Sequence, residues 1–411
     1  MRTVAILGGG PAACTLGILL ARARWRVAMW HRPTGTSLQV GESLVPAVIP
    51  ILRLLGVEEE VRRFSTHKPG ATFHIREGLE LSFFFRDLTG SMPRYAYNVP
   101  RDQFDETLRE AARREGVRLI QKEAVVEKVE GADRVALSAA TLASTGGYLA
   151  EAPDWIIDAT GRARVVPRLL GLAEHTGPRR DRALFAHVDR ARLTHEGHVH
   201  TTLLEQGWSW QIPLPGRVSV GMVVDAAGLA RHGATSEEQF DRLMAVEPML
   251  RGMLQGARRL TPVLAFDNYQ LTSERVVGDG WALVGDTAGF VDPVFSSGLF
   301  IGMQSAVALA AALDEGRARA LRRYETEVRH HLDTWQEIAG FFYNGRLFTC
   351  FHVGQMLRES LLVRMTFPHM NRHLGRVFSG AASTSRYSMG LLRFAMKHGL
   401  KNEDPAALQV R

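Results

Sequence analysis

The strongest constraint on this chain is a glycine turn beginning at residue 8. Thr3 to Leu7 is an apolar strand pattern, Gly8-Gly9-Gly10 interrupts it, and Ala12 to Arg24 reads as a helix. A second strand pattern follows at Arg26 to Trp30. Strand, glycine turn, helix and strand in this order form a βαβ unit, which implies a parallel sheet with a right-handed crossover. Gly8, Gly10 and Ala13 hold the G-x-G-x-x-A positions. Glycines there permit a tight turn and let a pyrophosphate reach the helix N-terminus, whose free N–H groups and dipole favour anions. A dinucleotide is the expected ligand. The second strand of such a unit normally ends in a carboxylate for the ribose hydroxyls. His31 stands at that place and can hydrogen-bond a hydroxyl instead.

With 411 residues, 45% hydrophobic and 23% charged, the chain is long enough for two lobes, and its composition does not indicate disorder. The net charge of +7 comes from arginines interleaved with acids, as in Arg109-Glu110 and Arg113-Arg114-Glu115. That is the pattern of solvated helix faces, so nucleic acid is not an expected partner. Cys14 and Cys350 match no disulfide or metal framework. The N-terminus lacks a signal-peptide h-region, and no charge-free apolar run reaches about 18 residues, so a cytoplasmic protein without a membrane span is expected. From about Arg182 to Val224 the sequence alternates and is rich in Thr, Val, Trp and His, which reads as an inserted antiparallel sheet. His198 and His200 would share one strand face with His195 on the other, but no Cys or carboxylate joins them at ligand spacing. No metal site is expected.

Five further segments carry a family resemblance. Gly41-Glu42-Ser43-Leu44-Val45-Pro46 resembles the G-E-S-x-x-P segment of flavin-dependent halogenases and related monooxygenases. Arg101, Phe104, Asp105 and Leu108 resemble the R-x-x-F-D-x-x-L helix start that contacts FAD in the wider hydroxylase superfamily. Asp158-Ala159-Thr160-Gly161 resembles a D-A-T-G strand end, and Gly285-Asp286 the G-D motif whose carboxylate holds the ribityl chain. Asp292-Pro293-Val294-Phe295-Ser296-Ser297-Gly298-Leu299 resembles the D-P-x-x-S-x-G loop beside the isoalloxazine. The resemblance implies FAD as cofactor, with Glu42, Ser43, Arg101, Asp158, Gly161, Asp286, Pro293, Gly298 and Leu299 among the binding residues.

Gly207-Trp208-Ser209-Trp210-Gln211-Ile212-Pro213 matches the W-x-W-x-I-P signature of that family, with Trp208 and Trp210 expected to lie between sheet and flavin. Lys68, in Lys68-Pro69-Gly70-Ala71-Thr72-Phe73, resembles the family's essential lysine. There, reduced flavin and oxygen give a C4a-hydroperoxide, halide attack yields hypohalous acid, and the lysine orients that acid at the substrate. By the same resemblance, a halide would rest on backbone N–H groups of Ser297 and Gly298. Phe295 stands where one subgroup, acting on indole rings, carries a glutamate. That points away from free tryptophan and toward phenol, pyrrole or carrier-bound rings.

Hydroxylation by the same hydroperoxide is the second reading, including oxidation of a tryptophan side chain in a partner protein. A C=C reductase resembling geranylgeranyl reductases is the third; Trp208 and Ile212 depart from its Y-x-W-x-F-P variant. No second glycine fingerprint for NAD(P)H occurs, so reduced FAD would come from a separate flavin reductase or from nicotinamide docking transiently. An acidic carrier or substrate protein would meet the basic stretch Arg386, Arg393, Lys397, His398 and Lys401.

The expected architecture is α/β. A discontinuous FAD-binding Rossmann-like domain of the glutathione-reductase/hydroxylase type would take residues 1–70, 96–175 and 270–315. The inserted β-sheet domain would take 71–95 and 176–269, and a helical C-terminal region 316–411.

Overall fold

The glycine turn does what its chemistry dictates. In the computed structural model, which describes residues 1–32, 38–88, 92–267, 270–356, 369, 373, 375–398 and 404–410, β1 (Thr3–Leu7) runs into α1 (Pro11–Arg22) and β2 (Arg26–Trp30). Gly8 takes φ +111°, a conformation L side chains rarely adopt. Proline at the first position of α1 lacks an N–H that would be unpaired there anyway. Val4, Ala5 and Ile6 are fully buried, as befits a central strand covered on both faces.

We number the strands that frame the site β3 (Thr66–Lys68), β4 (Gly70–Arg76), β5 (Leu79–Phe84), β6 (Ala96–Asn98), β7 (Arg118–Ile120), β8 (Trp155–Asp158), β9 (Asp181–Val188), β10 (Val199–Leu204), β11 (Gly207–Leu214), β12 (Arg217–Asp225), β13 (Leu264–Asp267) and β14 (Trp281–Leu283). A five-stranded sheet has the order β14-β8-β1-β2-β7, every pair parallel. Helix α2 (Arg101–Arg114) lies against α1. The second sheet has seven strands in the order β13-β9-β12-β11-β10-β4-β5.

The expected antiparallel insertion is corrected in one respect. The second sheet is mixed, because β4 runs parallel to β10, with Ala71 to His74 beside Val199 to Thr202. The β4–β5 hairpin comes from an earlier part of the chain and joins the sheet as a block, so no tight turn forces opposed directions. This sheet is covered on both faces over most of its width. Alternating residues of β9 face two cores: Ala183 and Phe185 join the main one, Leu184, Ala186 and Val188 a smaller one with Phe240 and Leu243. The smaller core lies under α3 (Ser236–Val246) and α4 (Pro248–Met253).

The chain closes with α5 (Gly298–Glu315), α6 (Ala318–Tyr343), α7 (Arg346–Met356) and α8 (Arg386–His398). Among the described residues α5 alone is long and apolar enough to cross a membrane, and 56% of it is buried inside the protein. It sits between α1 and α6.

Candidate active site

The ends of β1, β2, β8 and β14 open onto a cavity of about 940 Å³ that reaches from the glycine turn to the inner face of the second sheet. Gly8, Gly10 and Ala13 form one end. A side chain at Gly8 would meet Ala159 O at 2.3 Å, and one at Gly9 would meet His31 Cβ at 2.5 Å. Nothing lies within 4 Å of an added Cβ at Gly10, which faces the open space. His31 lines the cavity, its pKa lowered by burial and by the Arg109 charge. Arg109, which the motifs did not single out, also lines it and donates to Gly9 O at 3.4 Å.

Two carboxylates follow neighbouring strands and have different surroundings. Asp158, at the end of β8, is fully buried and does not reach the cavity. Its oxygens accept from Thr160 N and Oγ1 at 2.9 and 2.6 Å, and from Val166 N at 2.7 Å. It thus holds the loop that carries Gly161, which does line the cavity. Asp286, just after β14, faces the cavity. Burial pushes its pKa up to about 6 against the opposing charges of Arg101 and Arg162. Arg101 is clamped by Asp105 through two hydrogen bonds of 2.9 and 3.1 Å, and it also donates to Val40 O.

Glu42 and Ser43 line the opposite wall. The Glu42 carboxylate is engaged by His187 Nε2 of β9 at 2.9 and 3.0 Å, a contact between sheet and nucleotide lobe that no local pattern announces. Lys68, on β3, is buried and lies behind this wall, outside the cavity lining. Its Nζ donates to Ser43 Oγ at 2.8 Å and Leu44 O at 2.9 Å. Burial lowers its pKa to about 7, because neither partner carries a charge to offset the loss of hydration.

Trp208 and Trp210 also line the cavity. Trp208 Nε1 donates to Tyr343 Oη at 3.0 Å, and Tyr343 Oη donates to Asp292 Oδ2 at 2.9 Å. Pro293, Gly298 and Leu299 reach the cavity, and so does Ser296, which has φ +54°. Ser297 caps α5 and is buried outside the lining. Phe295 points the other way. Its ring lies 5.9 to 6.0 Å from Trp335, Phe342 and Phe378, in an aromatic cluster outside the lining of this cavity.

The strand histidines bond each other and a threonine: His74 Nε2 lies 2.8 Å from His200 Nδ1, and His198 Nδ1 2.9 Å from Thr72 Oγ1. Among the described residues no group of three His, Cys, Asp or Glu is arranged to hold a metal. Of the basic C-terminal residues, Arg393 is paired with Glu337 at 2.7 Å, and Lys401 lies outside the described residues.

The donor set fits FAD: exposed backbone at Gly10 for a pyrophosphate, a half-buried carboxylate at Asp286 for hydroxyls, and an indole-lined far end for a flat ring system. Comparison with known proteins agrees. The family described as tryptophan halogenase matches residues 3–85 and 87–351. A 1H-pyrrole-2-carbonyl-[peptidyl-carrier protein] chlorinase of Pseudomonas fluorescens is 29% identical over 387 residues, covering 85% of each chain. A flavoprotein/dehydrogenase from Cytophaga hutchinsonii superposes with a TM-score of 0.81 at 24% identity, covering 97% of this chain and 100% of the other. The myxobacterial chondrochloren halogenase does so at 0.74 and 24%, covering 98% of both. The chain belongs to the tryptophan halogenase family and is an FAD-dependent oxidoreductase.

Proposed function

We propose that this enzyme halogenates an electron-rich aromatic ring, with Lys68 as the residue that handles the oxidised halogen. The observation that carries this reading is a fully buried lysine joined by one hydrogen bond to Ser43, a residue of the cavity wall, with only neutral acceptors on its amine. The bound flavin, once reduced, supplies the activation of dioxygen. Gly8, Gly10, Ala13, Arg101 and Asp286 hold it, Asp158 and Glu42 shape the loops around it, and Trp208 and Trp210 exclude water from its ring. Ser297 and Gly298 present α5 backbone N–H groups to a halide. An amine near neutrality donates hydrogen bonds without binding an anion irreversibly, which suits passage of a neutral oxyacid.

The substrate class proposed is a pyrrole or phenol ring, free or tethered to an acidic carrier. Three observations support it: the name of the chlorinase relative, the apolar Phe295, and the Arg386 and Lys397 side chains exposed on α8. Reduced FAD would come from a separate reductase. The division into FAD domain, sheet domain and helical region is proposed at the boundaries given above. Hydroxylation stays as the second reading, favoured by the position of Lys68 outside the cavity lining.

Lys68→Met decides between them. With FAD retained, the rate of forming brominated product, read by mass, should fall by about a thousandfold, the scale of losing a positioned acid–base group. A gain of one oxygen that survives in the variant, with no brominated product from the wild type, would establish hydroxylation instead.

A further inference from the structure

In its charged form Lys68 has one donor more than its partners use. An ammonium carries three N–H groups and no acceptor, and Ser43 Oγ and Leu44 O take two of them. Its Nζ also lies 5.5 Å from the centroid of the Phe85 ring. The His198 pKa is held down to about 3 by burial first, then by the His195 and His200 charges, with Lys68 adding to them.

Asn98 stands beside Lys68. Strands β3 and β6 pair antiparallel, with Thr66 opposite Asn98 and Lys68 opposite Ala96. Side chains two apart on a strand share a face, so Lys68 and Asn98 are diagonal neighbours, roughly 7 Å apart. Ser43 bridges to Asn98 from the far side of β6 and accepts the Lys68 hydrogen bond. Asn98 is fully buried. Its Nδ2 donates to Gly197 O at 3.0 Å, which fixes the amide and leaves Oδ1 as its acceptor. That oxygen is buried without a protein donor. An acceptor buried away from water and left unmatched is costly.

A second orphan lies close to the same stretch. His198 Nε2 is buried without a partner, and its ring rests on Gly70, where an added Cβ would approach to 2.7 Å. Thus two unmatched polar atoms of fully buried side chains flank the short segment that carries the lysine.

We propose that Asn98 completes the Lys68 site, its Oδ1 and the remaining Nζ–H holding one small hydroxylic molecule between them. The ligand accepts from the amine and donates its proton to the amide oxygen. Water and hypohalous acid share that chemistry, the second resting on the halogenation reading above. A halide ion does not share it, having no proton for Oδ1. Asn98 therefore distinguishes a neutral oxyacid from the anion it is made from.

The test uses the FAD-loaded protein with isotope-labelled lysine, whose NMR signals come from only five residues. The Lys68 titration midpoint is followed in wild type, Asn98→Leu and Asn98→Asp, with Asn98→Ala in reserve if the leucine variant does not fold. Removing the acceptor should lower the midpoint by about one pH unit, and placing a carboxylate there should raise it by at least as much. A midpoint that truncation leaves unchanged overturns the proposal. A second arm follows turnover with bromide and reduced flavin while monochlorodimedone traps oxidised halogen that escapes. A several-fold rise in trapped halogen on truncation assigns the site to the oxyacid; a shifted midpoint with unchanged trapping assigns it to water. A wild type that makes no brominated product would sink the halogenation reading and leave the NMR arm to decide Asn98.

Discussion

The cavity wall and the aromatic cluster next to it use the chain in opposite ways. The wall mixes backbone with charged and aromatic side chains: Gly8, Gly10, Gly161 and Gly298 bring the main chain up to the space a cofactor needs, beside Arg101, Asp286 and Trp208. The cluster is all side chain. Phe73, Phe295, Phe342, Phe348 and Phe378 meet edge-on or tilted, and Phe83 stacks on Phe378 with ring centroids 3.8 Å apart. The backbone part of that wall turns on Gly8 and Gly161, whose positive φ disfavours other residues, so it is local and brittle. A cluster of rings is set by volume and by which distant segments meet, so it is collective. Binding capacity is concentrated in the first region and cohesion in the second.

If that division holds, truncation among the rings should lower stability without emptying the cofactor site. Phe342 is fully buried and touches the rings of Phe73, Trp208, Phe295, Tyr343 and Phe348. Phe342→Ala should cost about 4 kcal/mol in chemical denaturation, while FAD stoichiometry stays at one below the transition. An equal loss of FAD at low denaturant would show the two regions to be coupled.

The converse change is Gly8→Ala. The methyl group would clash with Ala159 O in a left-handed conformation, so a penalty of about 3 kcal/mol is expected, falling on the glycine turn and abolishing FAD retention. Purified variant that keeps its 450 nm flavin band would refute the account of the turn. Asp286→Asn is milder. It keeps the shape and removes a charged acceptor, which should weaken FAD binding by about 2 kcal/mol in equilibrium titration and leave the apoprotein's unfolding midpoint nearly unchanged.

A pH-dependent effect sharpens the boundary between the regions. The Lys68 pKa is lowered by burial from 10.5 to about 7. Between these values the unfolded chain binds a proton that the folded chain does not, so raising the pH through this window stabilises the fold, by up to about 1.4 kcal/mol per pH unit. Lys68→Met should erase that slope. Parallel stability curves for wild type and variant between pH 7 and 9 would mean that the amine is not desolvated.

What could be read from the chain alone was whatever depends on neighbours in sequence. The glycine turn, the helix after it, the G-D step at Asp286 and the tryptophan pair at Trp208 and Trp210 are short patterns in which a conformation or a residue spacing carries the meaning. The succession of elements was legible for the same reason, since periodicity marks each one. The rest required three dimensions. Asp158 satisfies its own loop, Phe295 turns into the aromatic cluster, and β4 joins the second sheet parallel to β10. Each outcome is a choice between partners, and burial makes that choice because an unpaired polar atom is costly only once water is gone. The Glu42–His187 contact joins residues 145 positions apart, and no helical or strand period reports such a distance. Sequence therefore determined which groups are present and how each segment bends. Only the tertiary structure decided which buried groups face the cavity, which face each other, and which are left, like Asn98 Oδ1, with no protein donor.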